Sequence, residues 1–249
     1  MRVHLESLES AIDKIFSLAN KGSGSYVCVS NVHMCMEVQD SLRMKKVVNS
    51  SDLTVTDGKP IYLIAKLKNF FSIKLDRIVT QVRGQDLVDG ICKRASDFEI
   101  GLSLGFYGGI SAEVLDLVER NLKLKYPNIN ISFKYSPPFI MQGQEEDVEV
   151  INNINASKVD ILFVGLGCPK QEEWMYIHKH QLSCCMIGVG AAFDFISGNK
   201  KHAPVLLQKL CLEWLYRLVS EPKRLWKRYL ILNPRFLYLN LIQVFKFKS

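Results

Sequence analysis

Asp57 closes the short apolar run Leu53-Thr54-Val55-Thr56 and precedes Gly58. An acid at such a place can project into a cleft at a strand end and take a proton from a hydroxyl nucleophile. It can equally form a turn or cap a helix ahead of Gly58-Lys59-Pro60. Asn31 ends Val27-Cys28-Val29-Ser30 in the same way: its amide can hydrogen-bond a sugar or a base, or simply stop the strand. His33, two residues on, is either a second base or a half-buried bystander. His178 and His180 are two apart on a helical pattern, hence on different faces, and make a poor metal pair. His202 sits beside lysines and reads as a surface residue.

Three glycine-rich segments follow apolar runs: Gly105-Phe106-Tyr107-Gly108-Gly109, Gly165-Leu166-Gly167-Cys168-Pro169 and Gly188-Val189-Gly190. Glycine lets backbone amides approach a diphosphate, and a following helix adds its positive end. The alternative is that these glycines only make tight turns. None of them forms G-x-G-x-x-G with an acid about 20 residues later, and none forms the phosphate loop G-x-x-x-x-G-K-[ST]. Lys170 and Gln171 follow Pro169 in the first turn of a helical pattern, where they face either a strand-end ligand or solvent. Asp194, flanked by Phe193 and Phe195, reads as a buried acid that needs a partner. That partner is either a ligand or a structural hydrogen bond.

No Asp-x-Asp pair occurs in the chain. Without that common means of holding a metal on a diphosphate, a leaving group would be stabilised by cations of the protein. Arg217, Arg224, Lys227 and Arg228 are the obvious supply. Arg217 and Arg224, seven apart, share a face if one helical path continues past Pro222. The same cluster can also be a solvated basic face that meets lipid head groups.

The elements that must position these residues alternate through the first 200 positions. Ser25–Asn31, Leu102–Gly109, Ile131–Ser136, Asp160–Gly167 and Cys184–Gly190 read as buried strands. Residues 111–126, 144–157 and 168–182 carry helical patterns. Strand, small-residue loop and helix in alternation predict an α/β fold with a doubly wound parallel sheet, whose ligands bind at the carboxyl ends of the strands. Beyond residue 200 the pattern changes. Residues 205–219 form a long apolar stripe that Glu221-Pro222 breaks, a second helix starts at Lys223, and Pro234 is expected to interrupt it. The chain therefore divides into a body, 1–202, and a helical basic appendage, 203–249.

Charge follows the same division. Of the net +7, residues 201–249 hold ten Lys or Arg against Glu213 and Glu221, while the body is close to neutral. A basic segment interleaved with Trp214, Trp226, Tyr229 and Tyr238 implies an anionic partner: phospholipid head groups, diphosphates or nucleic acid. No apolar run reaches the roughly 18 residues of a spanning helix, and Met1–Phe16 is charged and amphipathic, unlike a signal peptide. The seven cysteines form no C-x-x-C and read as reduced thiols of a cytoplasmic protein.

The segments Thr56–Pro60, Gly84–Leu87, Phe106–Gly109, Val164–Met175, Gly188–Pro204 and Gln208–Leu230 together resemble the WecG/TagA/CpsF glycosyltransferases. The likeness runs from about residue 25 to 238. It implies a Rossmann-like body with a C-terminal appendage, and transfer of N-acetylmannosamine or a related sugar from UDP to a polyprenyl-diphosphate-linked sugar, in the synthesis of a surface polysaccharide or teichoic acid. It further implies inversion at the anomeric carbon and no metal or other cofactor. Carried onto this sequence, the general base falls on Asp57, the strand-end amide on Asn31, the glutamine on Gln171 and the appendage arginines on Arg217 and Arg224. Lys227 takes a third position where the family often has Arg. Ser30, Arg83, Gly108, Gly109, Gly165, Gly167, Lys170, Asp194 and Arg228 complete the expected substrate contacts. Two positions depart from the family pattern. Val29 stands where Thr is frequent, with Ser30 beside it, and Gln81 stands where Arg is frequent, with Arg83 two residues on. Peripheral association with the inner face of the membrane follows, with no nucleic-acid partner, and a homo-oligomer stays open. On the residues alone, a nucleotide-binding oxidoreductase and a non-enzymatic surface-binding module are the competing readings.

Overall fold

A computed structural model describes residues 3–4, 6–58, 60–64, 81–97, 101–138, 146–204, 206–207 and 212–246. Residues 1–2, 5, 59, 65–80, 98–100, 139–145, 205, 208–211 and 247–249 lie outside them, and with them part of the stripe expected over 205–219. The core is a six-stranded, all-parallel sheet in the order β2-β1-β6-β5-β3-β4. Its strands are β1 (Ser25–Ser30), β2 (Leu53–Thr56), β3 (Ser103–Gly108), β4 (Asn130–Tyr135), β5 (Ile161–Gly165) and β6 (Cys185–Gly188). The α/β reading therefore holds.

Strands buried on both faces need side chains that pack both ways, and this explains the unbroken apolar runs. Val27, Val29, Ile161, Phe163, Cys185 and Ile187 face one layer; Tyr26, Cys28, Leu162, Val164 and Met186 face the other. The first layer holds α1 (Leu8–Ala19), α4 (Gly84–Asp97), α5 (Ala112–Lys125) and α8 (Ala192–Ile196). The second holds α2 (Val32–Asp40), α3 (Leu42–Asn49), α6 (Glu146–Ala156) and α7 (Lys170–His178). β4 departs from expectation. It is an edge strand that alternates between exposed and intermediate positions, whereas β2, at the other edge, is buried throughout.

The C-terminal region is helical, with α9 (Glu213–Ser220), α10 (Pro222–Trp226), a π-helical turn (Lys227–Leu232) and α11 (Asn233–Lys246). The break falls at Glu221, whose φ of −135° and ψ of 60° are not helical, and Pro222 opens α10, where its missing N–H is harmless. Pro234, in contrast, does not interrupt the path. The preceding turn is widened, with Asn233 N–H donating to Arg228 O, so a proline ring is admitted where a regular turn would clash. Phe236 is buried against Val32 and Met36 of α2 and against Ile61 and Ile64, with Leu232 and Leu239 beside it. Arg235 clasps Asp40 through both terminal nitrogens, each at 2.6 Å. The helices at the chain's end are thus packed on the same side of the sheet as α2.

Candidate functional site

The carboxyl ends of β1, β2, β5 and β6 open toward the appendage. At β2 the extended chain continues into Asp57, whose N–H donates to Ser30 O at 2.6 Å. Val82 N–H donates to Thr56 O at 2.8 Å, which lays Gln81 and Arg83 alongside. Gln81 Nε2 then donates to Asp57 Oδ1 at 3.3 Å. The residue at the usual arginine position therefore touches the acid directly. Arg83 is held by Asp86 at 2.8 Å, and Arg83 from the body and Arg217 from the appendage both act on the Asp57 charge. Asp57 retains intermediate exposure, yet so much protein surrounds its carboxyl that desolvation pushes it up to about 6, against the pull of Gln81, Arg217 and Arg83. Glu213 adds to the rise.

Asn31 caps α2: its Oδ1 accepts from Met34 N–H at 3.1 Å. Its Nδ2 has no partner among the described residues, so only the donor half of the amide is available to a ligand. Ser30 is fully buried, and its Oγ lies 3.7 Å from Cys35 Sγ. The substrate contact expected of Ser30 would need this buried hydroxyl to become accessible. Val29 is buried in the core layer beside α1 and offers no hydroxyl either.

Gln171 is buried and joins two loops. Its Oε1 accepts from Gly167 N–H at 3.2 Å and from Gly190 N–H at 3.0 Å, while its Nε2 donates to Glu172 Oε1 at 2.7 Å. Gly188 lies directly beneath, where an added Cβ would be 2.8 Å from Gln171 Nε2. Gly109 N–H donates to Gly165 O at 3.1 Å. The amides of Gly109, Gly167 and Gly190 are thus hydrogen-bonded within the protein, so cradling a diphosphate there would require these bonds to be exchanged. Gly108 and Gly165 are small for packing reasons. A Cβ on Gly108 would lie 2.7 Å from the Gly165 carbonyl carbon, and one on Gly165 would lie 2.5 Å from Phe193. Lys170 is exposed at the start of α7.

Asp194 has a structural partner rather than an open face: Lys200 Nζ lies 2.6 Å from its Oδ2. Arg217 stacks over the Phe195 ring, 4.9 Å from the centroid, with Glu213 at 3.7 Å. Arg224 donates through Nε to Glu221 at 2.6 Å and is half-exposed. The break at Glu221 means that Arg217 and Arg224 do not share one continuous helical face. Arg228 is of intermediate exposure and close enough to Cys168, Glu172, Glu37 and Arg224 to interact electrostatically with each. Among the described residues it makes no hydrogen bond or ion pair. Exposed Lys227 lies near His33, whose Nε2 is 3.2 Å from Glu37 and whose Nδ1 is buried with no partner among the described residues. Burial, Arg228 and Lys227 together lower the His33 ring to about 4, so it is neutral at neutral pH.

Two groups result. One is Asp57 with Gln81, Arg83, Arg217 and Glu213; the other is Arg228, Arg224 and Lys227 with His33, Glu37 and Glu172. Gln81, Glu172, Glu213 and Glu221 were not legible as site residues. Nothing in the spacing of Gln171-Glu172-Glu173 distinguishes the fully buried Glu172, which burial raises to about 7, from its exposed-type neighbour. Only Gln81 carried a signal, as a departure from the family pattern. No group of three or more His, Cys, Asp or Glu among the described residues is arranged to hold a metal. A concavity of about 590 Å³ lies at the opposite end of the sheet, lined by Gly22–Gly24, Asn155 and Lys179–Ser183, remote from these acids and arginines.

The sequence pattern described as the Glycosyl transferase WecG/TagA/CpsF family matches residues 1–249. A protein of Bacillus spizizenii named N-acetylglucosaminyldiphosphoundecaprenol N-acetyl-beta-D-mannosaminyltransferase is 29% identical over 227 residues, covering 91% of this chain and 82% of its own. A protein of the same name from Staphylococcus aureus strain MW2 is 32% identical over 194 residues, covering 78% of this chain and 70% of its own.

Proposed function

The chain belongs to the WecG/TagA/CpsF glycosyltransferase family and is a sugar-transferring enzyme, and on that premise we propose that it moves an N-acetylmannosamine-type sugar from UDP onto a polyprenyl-diphosphate-linked N-acetylglucosamine. Family membership sets aside the oxidoreductase and the non-enzymatic binding module. The acceptor and the sugar follow the names of the relatives; the UDP donor follows the family resemblance.

The placement of Asp57 carries the mechanism. It lies at a strand end, surrounded by protein, with Arg83 and Arg217 close enough to act on its charge. A carboxylate raised to about 6 is still ionised at neutral pH, yet it is a stronger base than an exposed one. In the proposed reaction it removes the proton of the acceptor hydroxyl. The hydroxyl oxygen bonds to the anomeric carbon from the face opposite UDP, the bond from that carbon to the diphosphate oxygen breaks, and the configuration inverts. Charge then develops on the departing diphosphate. Arg217, Arg224, Lys227 and Arg228 are placed on the appendage to meet it, in a partly dehydrated site where such contacts count most. Gln171 orients the two strand-end loops, and Asn31 Nδ2 offers a donor to the sugar. No metal enters this scheme.

The appendage serves a second purpose in this reading. Val219, Trp226, Leu230, Ile231 and Tyr238 are exposed, at 75%, 50%, 57%, 45% and 65%, and are interleaved with Lys223 and Lys227. No helix among the described residues is long and apolar enough to cross a membrane. A face of this kind suits the head-group layer of an anionic bilayer, where the lipid-linked acceptor resides.

The purified protein, incubated with a panel of UDP-sugars and a detergent-soluble diphosphate-linked N-acetylglucosamine acceptor, is expected to release UDP and form a disaccharide with UDP-N-acetylmannosamine. Absence of any product with the whole panel, from folded protein, would overturn the proposal.

A further inference from the structure

We propose that Asp194, Lys200 and Glu221 form a positioning relay that aims the Arg224 guanidinium into the site. This inference rests on the reading above, in which Arg224 meets the diphosphate. None of the three need touch substrate.

The relay begins in the body and ends on the appendage. Asp194, 7% exposed, sits on α8 immediately after β6. Lys200 folds back on it twice, with its N–H donating to Asp194 O at 2.9 Å and its Nζ reaching Asp194 Oδ2 at 2.6 Å. The same Nζ lies 3.4 Å from Glu221 Oε2. That oxygen also accepts from Arg224 Nε at 2.6 Å. One carboxylate oxygen at the break between α9 and α10 thus joins a body lysine to an appendage arginine.

The geometry at Arg224 gives the relay its purpose. A guanidinium has one Nε–H and four N–H groups on the Nη atoms. With Nε engaged, the plane of the group is set, and both Nη atoms remain without partners among the described residues. These are the donors that grip an anion in a two-pronged fashion. A long side chain half-exposed at 47% would otherwise sample many rotamers. The helix carrying it is anchored too, since Leu225 is buried and its N–H donates to Glu221 O at 3.0 Å. Phe195, next to Asp194 on α8, supports Arg217 by stacking, so one short helix of the body orients both arginines. This also accounts for Asp194 having a lysine partner.

The test is a double-mutant cycle on the full chain, read as kcat and KM for the UDP-sugar with the soluble acceptor. Arg224→Met alone checks the underlying reading: unchanged kinetics would remove Arg224 from the site and the relay's purpose with it. If Arg224→Met is impaired, Glu221→Gln and Lys200→Met are each expected to lower kcat/KM by about fivefold to tenfold. Lys200→Arg should restore most of the loss. On the Arg224→Met background the same two substitutions should cost less than about twofold, because what they position is gone. Equal losses on both backgrounds, or none on the native one, would overturn the relay while leaving the role of Arg224 intact. Thermal unfolding of each variant separates misfolding from mispositioning, and Glu221→Asp replaces Glu221→Gln if the latter does not fold.

Discussion

The proposed reaction rests on one carboxyl, Asp57, whose environment sets its strength. Since burial raises it from 3.8 to about 6, turnover should climb with pH through about 6 and level off above it. A pH profile of kcat measures this directly; a profile flat down to pH 4 would exclude the residue as base. Asp57→Asn should lower turnover by about 10²–10⁴-fold while UDP binding persists. Stability carries the opposite sign. The folded state holds this proton more tightly than the unfolded chain, so the native Asp57 is without penalty below about 3.8 and becomes costly as pH rises through about 6. Asp57→Asn should therefore melt higher than the parent at pH 8 and at the same temperature near pH 4. Equal melting at both pH values would show that the carboxyl is not desolvated in solution.

At the scale of elements, the loops after β5 and β6 are held by a side chain rather than by each other. Gln171 Oε1 receives two glycine N–H groups, at 3.2 and 3.0 Å, from two different loops. Gln171→Ala leaves both amides and Glu172 Oε1 without their partner in a buried place, which should cost about 1–3 kcal/mol. Urea unfolding checks it, and a loss below a few tenths of that range would mean that water replaces the amide freely. The widened turn Lys227–Leu232 is an element-scale device of another kind. It lets the path continue past Pro234 so that Phe236 reaches its pocket on α2. The three basic residues of the second group are carried on or beside this stretch, and their placement therefore depends on packing many residues away.

For the whole molecule, the separation of a near-neutral body from a basic, apolar-faced C-terminal region predicts reversible adsorption. Co-sedimentation with vesicles containing anionic lipid should be strong in low salt and fall as salt screens the charge. Replacing Trp226 and Tyr238 by Ala should weaken it further while turnover on a soluble acceptor survives. Vesicle binding that ignores both salt and these substitutions would remove the appendage from membrane docking. The proposed metal-free stabilisation of the leaving group predicts, in turn, that activity persists in excess EDTA. Loss that magnesium or manganese restores would replace the arginine scheme with a metal-assisted one.

The sequence by itself determined the layers of this protein. Apolar runs ending in small residues can satisfy their backbones only as central strands, so β1, β3, β5 and β6 were legible from composition alone, and the family likeness named Asp57, Asn31 and Gln171 as residues to watch. The edge position of β4 was not legible, because a strand's neighbours are chosen by the whole sheet. The continuous path past Pro234 was not legible for a similar reason: a proline's effect depends on the turn before it, and the widening of that turn leaves no local sequence signal. Most of the site's workings belong to the tertiary structure. Contacts such as the hydrogen bond from Gln81 to Asp57, spanning 24 positions, and the ion pair of Lys200 with Glu221, spanning 21, leave no periodic trace. Nor does the depth that raises Asp57 and Glu172 while Glu173 stays an ordinary surface partner of Arg43. Residue types and spacing encode which groups can react; the dehydration and partners that set the strength of each carboxyl arise only when distant segments are packed together.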